Sequence, residues 1–141
     1  MTSEKNTPKT FSHMIRVYIE DTDAGGLMYH TNHIKFMERG RTEALRECGF
    51  TKVTMDEKYG LYFVVKTVEI DYKSPAYMDD LLEVQTTLLS VSKARMYFLQ
   101  GIYRSQTLIA SAKLTIVCIN KDFRPEALPQ EIFDKISGAS L

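Results

Sequence analysis

The chain is short of cysteine, of net charge and of long apolar runs, and each shortage closes off a class of function. Only Cys48 and Cys118 are present, too few for a disulfide framework, and neither belongs to a CxxC pair. They read as two reduced thiols in a cytoplasmic protein. Eighteen Lys+Arg against eighteen Asp+Glu leave a formal net charge of zero, which argues against a general nucleic-acid binder with a basic footprint. No apolar run approaches the ~20 residues of a membrane-spanning helix. The segment Met1 to Phe11 is polar and has no apolar core, so it is not expected to be a secretory signal. A GxSxG elbow is also missing, and both cysteines fall inside element interiors, so a serine or cysteine nucleophile is not expected.

What is present is ordinary globular material. The 141 residues fit one domain. A hydrophobic share of 44% with 26% charged residues argues against disorder. Residues 1–12 read as a flexible N-terminal tail and residues 13–141 as one folded unit.

Periodicity gives the element order. Met14 to Glu20 alternates as a strand. Asp21-Thr-Asp-Ala-Gly-Gly26 carries strong turn chemistry. From Asn32 to Glu47 the period becomes helical, with Ile34, Met37, Ala44, Leu45 and Cys48 on one face. Thr31 or Asn32 can cap the start of this helix, and Gly49 can end it. Glu38 and Arg41 fall on the apolar stripe, where they read as a shielded ion pair. The alternative makes Glu38 a second catalytic carboxylate. Gly40 lies beside the stripe, where another backbone can come close. A short helix is expected over Val53 to Lys58. Four strands follow: 64–73, 81–91, 96–103 and 108–119. A last helix runs from Pro129 to Ile136. Consecutive strands with short links favour an antiparallel sheet covered by the long helix. The fold class is α+β.

The segment Glu20-Asp-Thr-Asp-Ala-Gly-Gly-Leu-Met-Tyr-His30 is the most unusual. Three readings compete. As a calcium loop it is broken, because Asn32 stands where the bidentate Glu belongs. As plain structure, Asp and Gly make a turn, and an Asp ahead of a helix complements its dipole. As a catalytic loop, it places a carboxylate beside the free N–H groups of a helix start. Those donors can hold a developing oxyanion. The carboxylate can deprotonate water or attack a carbonyl itself. Residue types and spacing leave the structural and the catalytic readings open.

The order Arg16-Val-Tyr-x-Glu-Asp-Thr-Asp-Ala-Gly-Gly-x-x-Tyr-His30, with Phe36-x-Glu38-Arg39 and Arg41-Thr-Glu43, resembles the 4-hydroxybenzoyl-CoA thioesterase family of hotdog-fold proteins. It is most similar to the tol-pal-associated (YbgC-type) acyl-CoA thioesterase branch found in bacteria. Phe63-Val-Val-Lys66, Pro75-Ala76, Asp79-Asp80 and Ala127-Leu-Pro129 extend the likeness over roughly residues 14–136. The resemblance implies a hotdog fold, an antiparallel sheet wrapped around one long helix. It implies hydrolysis of acyl-CoA to free acid and CoA. Asp23 then falls at the catalytic carboxylate, the backbone N–H of His30 at the carbonyl-polarising donor, and Gly26 at the glycine that keeps the loop open. Tyr29 joins the substrate-binding set. The resemblance also implies that two subunits join their sheets and share active sites, in a homodimer or homotetramer. His33 departs from the family pattern, which favours an aromatic there, and this bears on the shape of the acyl pocket.

From Val84 to Lys121 there is no acidic residue, while Lys93, Arg95, Arg104, Lys113 and Lys121 are basic. Such a local patch suits the phosphates of coenzyme A, with Lys93 and Arg95 as the candidates. It would equally suit an acidic acyl carrier protein, as partner of an interaction protein with secondary hydrolase activity. A hydratase on the same fold is a third possibility, which needs a His–carboxylate pair at a carbon–carbon double bond. Neither cofactor nor metal is expected: His30 and His33 are three apart, but a zinc site needs about four ligands. Met28, His33, Met37, Tyr59 and Phe63 are the expected lining of an acyl pocket.

Overall fold

A computed structural model describes residues 8–138 of the chain. Five strands form one antiparallel sheet in the order β1-β3-β4-β5-β2. They are β1 (Thr10–Arg16), β2 (Tyr62–Tyr72), β3 (Leu81–Ser92), β4 (Arg95–Arg104) and β5 (Thr107–Ile119). Helix α1 (Asn32–Glu47) packs across β1, β3 and β4. A short helix, α2 (Lys52–Thr54), continues as a π turn over Met55–Tyr59, and α3 (Gln130–Ser137) closes the chain. This is the expected α+β hotdog architecture.

Three features differ from the sequence pattern. Strand β1 begins at Thr10 and pairs with β3 from Thr10↔Thr87 to Arg16↔Leu81. Residues 10–12 therefore belong to the sheet rather than to a tail, because Phe11 is buried in the core and anchors them. Residues 1–7 of the expected tail lie outside the described residues. The strand also stops at Arg16, four residues early, because Ile19–Asp21 winds into a 3-10 turn.

The third difference lies in β2. The sequence pattern predicts one strand over 64–73. A bulge between Val65 and Thr67 shifts the register against β5. One extra residue flips the side chains to the other face. Phe63 before the bulge and Val68 and Ile70 after it consequently all pack on the core.

The buried stripe of α1 is rotated from the expected one. Asn32, His33, Phe36, Met37, Gly40 and Ala44 face the sheet, whereas Ile34 is 37% exposed. Phe36 is fully buried. Hydrophobicity alone misplaces the stripe because a histidine, an asparagine and a glycine occupy it. The glycine has a steric reason. A Cβ on Gly40 would stand 2.6 Å from Val84 Cγ1 and 3.1 Å from Thr86 Oγ1, so the helix lies directly on β3.

Beside that contact sits a buried polar knot. Gln100 Nε2 donates to the Met37 carbonyl at 2.9 Å and to Thr86 Oγ1 at 2.8 Å. Arg41 Nη1 donates to Gln100 Oε1 at 2.9 Å. Glu38 makes no ion pair with Arg41 among the described residues. Glu38 is solvent-exposed, and the amide of Gln100 takes the expected place of its carboxylate. Removing that amide leaves the Thr86 hydroxyl and the Arg41 guanidinium without partners. Gln100→Leu is expected to cost about 2 kcal/mol of stability, measured as a lower urea midpoint with an unchanged slope.

Candidate functional site

The loop from Asp21 to His30 is built on two aspartates with opposite fates. Asp21 is buried and acts as a scaffold. Its Oδ2 accepts from the Tyr18 N–H at 2.9 Å, and its Oδ1 accepts from Asn32 Nδ2 at 3.2 Å. Its carbonyl accepts from the Tyr29 N–H and from Asn32 Nδ2, both at 2.9 Å. One residue thus ties the strand end, the loop and the first turn of α1 together.

Asp23 is exposed. Its Oδ1 accepts from the Gly25 N–H at 2.9 Å and from the Leu27 N–H at 3.3 Å. No donor among the described residues reaches Oδ2, so one carboxylate oxygen orients the group and the other faces outward. Gly26 has φ +82°, a conformation that glycine adopts without penalty. A Cβ there would meet nothing within 4 Å, so the backbone turn and not crowding requires it. Segment 75–77 backs the loop, with the Met28 N–H donating to the Ala76 carbonyl at 2.7 Å.

The chain then enters α1 at His30. Thr31 occupies the cap position with no side-chain hydrogen bond, so neither expected cap operates through its side chain: the amide of Asn32 is spent on Asp21. The His30 N–H meets no acceptor among the described residues, and His30 itself is exposed. The site thus presents a bare carboxylate oxygen and a bare backbone donor from one loop. The Tyr29 ring leans on the His30 ring at 4.8 Å.

His33 and Tyr72 complete this corner. His33 Nδ1 lies 3.1 Å from the His30 carbonyl, and the Tyr72 hydroxyl donates to the same oxygen at 2.8 Å. Burial pushes the His33 imidazole below its ordinary value; hydrogen bonds to the His30 and Tyr29 carbonyls oppose this more weakly. Sequence reasoning gave Asn32 only a capping role and did not pick out the scaffolding part of Asp21 or the place of Tyr72 at the His30 carbonyl. Asp21 was visible within the motif, but Tyr72 stands 42 positions from His30 and left no signal.

Other expected partners are elsewhere. Lys93 and Arg95 flank the β3–β4 turn, with Ser92 paired to Arg95. The Asp23 loop adjoins the opposite end of β3, where the Val17 N–H donates to the Asp80 carbonyl at 2.9 Å. The 12 residues of β3, about 36 Å of extended strand, separate the two. Within one chain the basic pair does not reach the carboxylate. Met28, His33 and Met37 are buried in the fold, and none of them borders the cavity that it opens. A cavity of about 280 Å³ opens instead between α1, α2 and the start of β2, lined by Glu38, Arg41, Leu45, Phe50, Met55 and Phe63 among others. Of the expected lining, only Phe63 borders it. No cluster of three or more His, Cys, Asp or Glu suited to a metal occurs among the described residues. Nor is any helix among them long and apolar enough to cross a membrane.

A sheet curled around one long helix, with a carboxylate loop feeding that helix, defines a hotdog-fold hydrolase. The thioesterase-like superfamily model matches residues 17–136, and the chain belongs to that superfamily. It is 43% identical over 123 residues to the acyl-CoA thioesterase YbgC of Haemophilus influenzae, covering 86% of this chain and 90% of that one. It is 40% identical over 121 residues to the acyl-CoA thioester hydrolase YbgC of Escherichia coli, covering 84% and 89%. The crystal structure of a probable thioesterase from Bartonella henselae superposes with a TM-score of 0.82 at 35% identity, over 86% of this chain and all of that one.

The buried imidazole has a measurable consequence. Native His33 resists protonation, while the unfolded chain takes up a proton below about pH 6.5. The unfolded state then binds more protons, so stability held above pH 6.5 is lost as the pH falls below it. Urea midpoints from about pH 8 to about pH 5 are expected to fall less steeply for His33→Asn than for the parent chain.

Proposed function

We propose that this protein is an acyl-CoA thioesterase in which Asp23 supplies the carboxylate and the His30 N–H polarises the thioester carbonyl. The observation that carries this is the pairing of an unpartnered carboxylate oxygen with an unpartnered amide in one loop. In the general-base route, Asp23 Oδ2 takes a proton from water, and the hydroxide adds to the carbonyl carbon. The His30 N–H holds the resulting oxyanion. Collapse breaks the C–S bond, and the CoA thiolate takes the proton back. In the nucleophilic route, Asp23 itself attacks, and water hydrolyses the mixed anhydride. Neither route needs a cofactor or metal.

The working unit is a homodimer or homotetramer. Strand β2 is an 11-residue edge, and its outer residues Val64 and Val65 are exposed. A long bare edge invites a partner strand. Antiparallel pairing of two β2 edges brings the Tyr62 end of one sheet beside the Tyr72 end of the other. The cavity and the Lys93–Arg95 turn of one subunit then approach Asp23 and His30 of the next. This supports Gly26 and Tyr29 as the near substrate contacts and Lys93 and Arg95 as holders of the CoA phosphates. We place the protein in the cytoplasm of a bacterium, where its two free thiols stay reduced. The basic turn also favours an acyl carrier protein as a second partner; salt-sensitive capture that survives loss of Asp23 would mark that role.

Asp23→Asn is expected to lower turnover of acyl-CoA by at least about a hundredfold with the thermal midpoint nearly unchanged. Unchanged hydrolysis would sink the assignment. Single-turnover hydrolysis in H₂¹⁸O separates the routes, since only the nucleophilic one exchanges oxygen into Asp23. A panel of graded acyl-CoA thioesters, with one aromatic member and one enoyl-CoA, defines the substrate and tests hydration. Sedimentation is expected to give at least twice the 16.2 kDa of the chain, and a monomer at assay concentration would contradict the shared site.

A further inference from the structure

Two side chains from different elements converge on one backbone oxygen beside the proposed catalytic amide. The Tyr72 hydroxyl comes from the end of β2 and His33 Nδ1 from the first turn of α1, at 2.8 and 3.1 Å from the His30 carbonyl. A carbonyl can only accept, so His33 carries its proton on Nδ1. The two rings also touch edge to face, with centroids 4.9 Å apart and planes at 88°. Each donor therefore steadies the other.

The His30 N–H lies in the peptide plane of the Tyr29 carbonyl, and that plane hinges at the His30 Cα on the next plane, which carries the His30 carbonyl. The preceding plane is held by the Asn32 N–H, which donates to the Tyr29 carbonyl at 2.9 Å. The following plane is held by Tyr72 and His33. With both planes pinned, the N–H direction is set before substrate arrives. An oxyanion donor acts most strongly when it has no reorganisation left to make. The β2 bulge between Val65 and Thr67 brings Val68 and Ile70 onto the core face already used by Phe63, and Tyr72 shares that face by alternation.

We propose that Tyr72 and His33 are positioning residues for the His30 amide, together forming a two-donor clamp on the His30 carbonyl. This rests on the assignment of Asp23 and His30 given above. Neither side chain touches the reacting atoms; both act through the direction of the N–H bond.

The test compares Tyr72→Phe, His33→Phe, His33→Asn and the Tyr72→Phe/His33→Phe double variant on the best acyl-CoA of the graded panel. Tyr72→Phe keeps the ring and loses only the donor. It is expected to lower kcat about tenfold with KM within about twofold. His33→Phe is expected to do the same. The double variant is expected to be little worse than either single one, because both donors serve one atom. His33→Asn places an amide N–H near the Nδ1 position and is expected to recover most of the lost kcat. The ¹⁵N resonance of Thr31, whose peptide contains the His30 carbonyl, is expected to shift in Tyr72→Phe whatever the activity. Unchanged kcat in Tyr72→Phe, a rise confined to KM, or His33→Asn no better than His33→Phe would overturn the clamp while leaving Asp23 in place. Full turnover by Asp23→Asn would overturn the underlying assignment and the clamp's catalytic role together, even with the Thr31 shift observed.

Discussion

The closeness of α1 to β3 is the constraint on which the rest of the molecule depends. Gly40 has no side chain to hold the two apart, and Val84 and Thr86 fill the space a Cβ would need. Gln100 then bonds the helix from inside the core, through the Met37 carbonyl. A buried polar knot of this kind is worth little if half satisfied and much if complete. Here no buried side-chain polar atom among the described residues lacks a partner. The helix is thus locked in depth and rotation, and its first turn is delivered to a defined place. Loop geometry can be precise only because that anchor does not move.

Asp21 and Asp23 illustrate how environment assigns roles to identical residues. They are two apart in sequence. Asp21 is enclosed and its carboxylate is used up by the backbone of Tyr18 and the amide of Asn32. Asp23 spends one oxygen on its own loop, and no donor among the described residues reaches the other. The buried aspartate holds the Tyr29 backbone and the Asn32 side chain, on either side of the His30 N–H.

Lys93 and Arg95 are separated from Asp23 by the length of β3, which bears on the proposed shared site. A single sheet has two ends, and the chemistry-bearing loop and the basic turn occupy opposite ones. A two-fold axis through an antiparallel β2 edge exchanges those ends. The long exposed edge, the position of the cavity and the distant basic turn are three separate observations that the proposed two-fold pairing reconciles.

Element order, the α+β class and the Asp23–His30 segment were legible in the sequence because each leaves a local mark. Periods of 2 and 3.6 separate strands from helix, and Asx–Gly clusters mark turns whatever surrounds them. Ile34 was misassigned and Phe36 overlooked because a helix stripe that contains Asn32, His33 and Gly40 does not look apolar. The β2 bulge was invisible because it changes pairing without changing composition. Tyr72 gained its place at the His30 carbonyl only through that bulge, and Arg41 found Gln100 rather than Glu38 only once the helix lay on β4. The sequence by itself determined which groups can do chemistry and which local shapes they prefer, since those depend on neighbours within a few residues. Tertiary structure alone decided which of them meet, because hydrogen bonds form only over about 3 Å, and residues 42 or 59 positions apart come that close only after the sheet has closed around the helix.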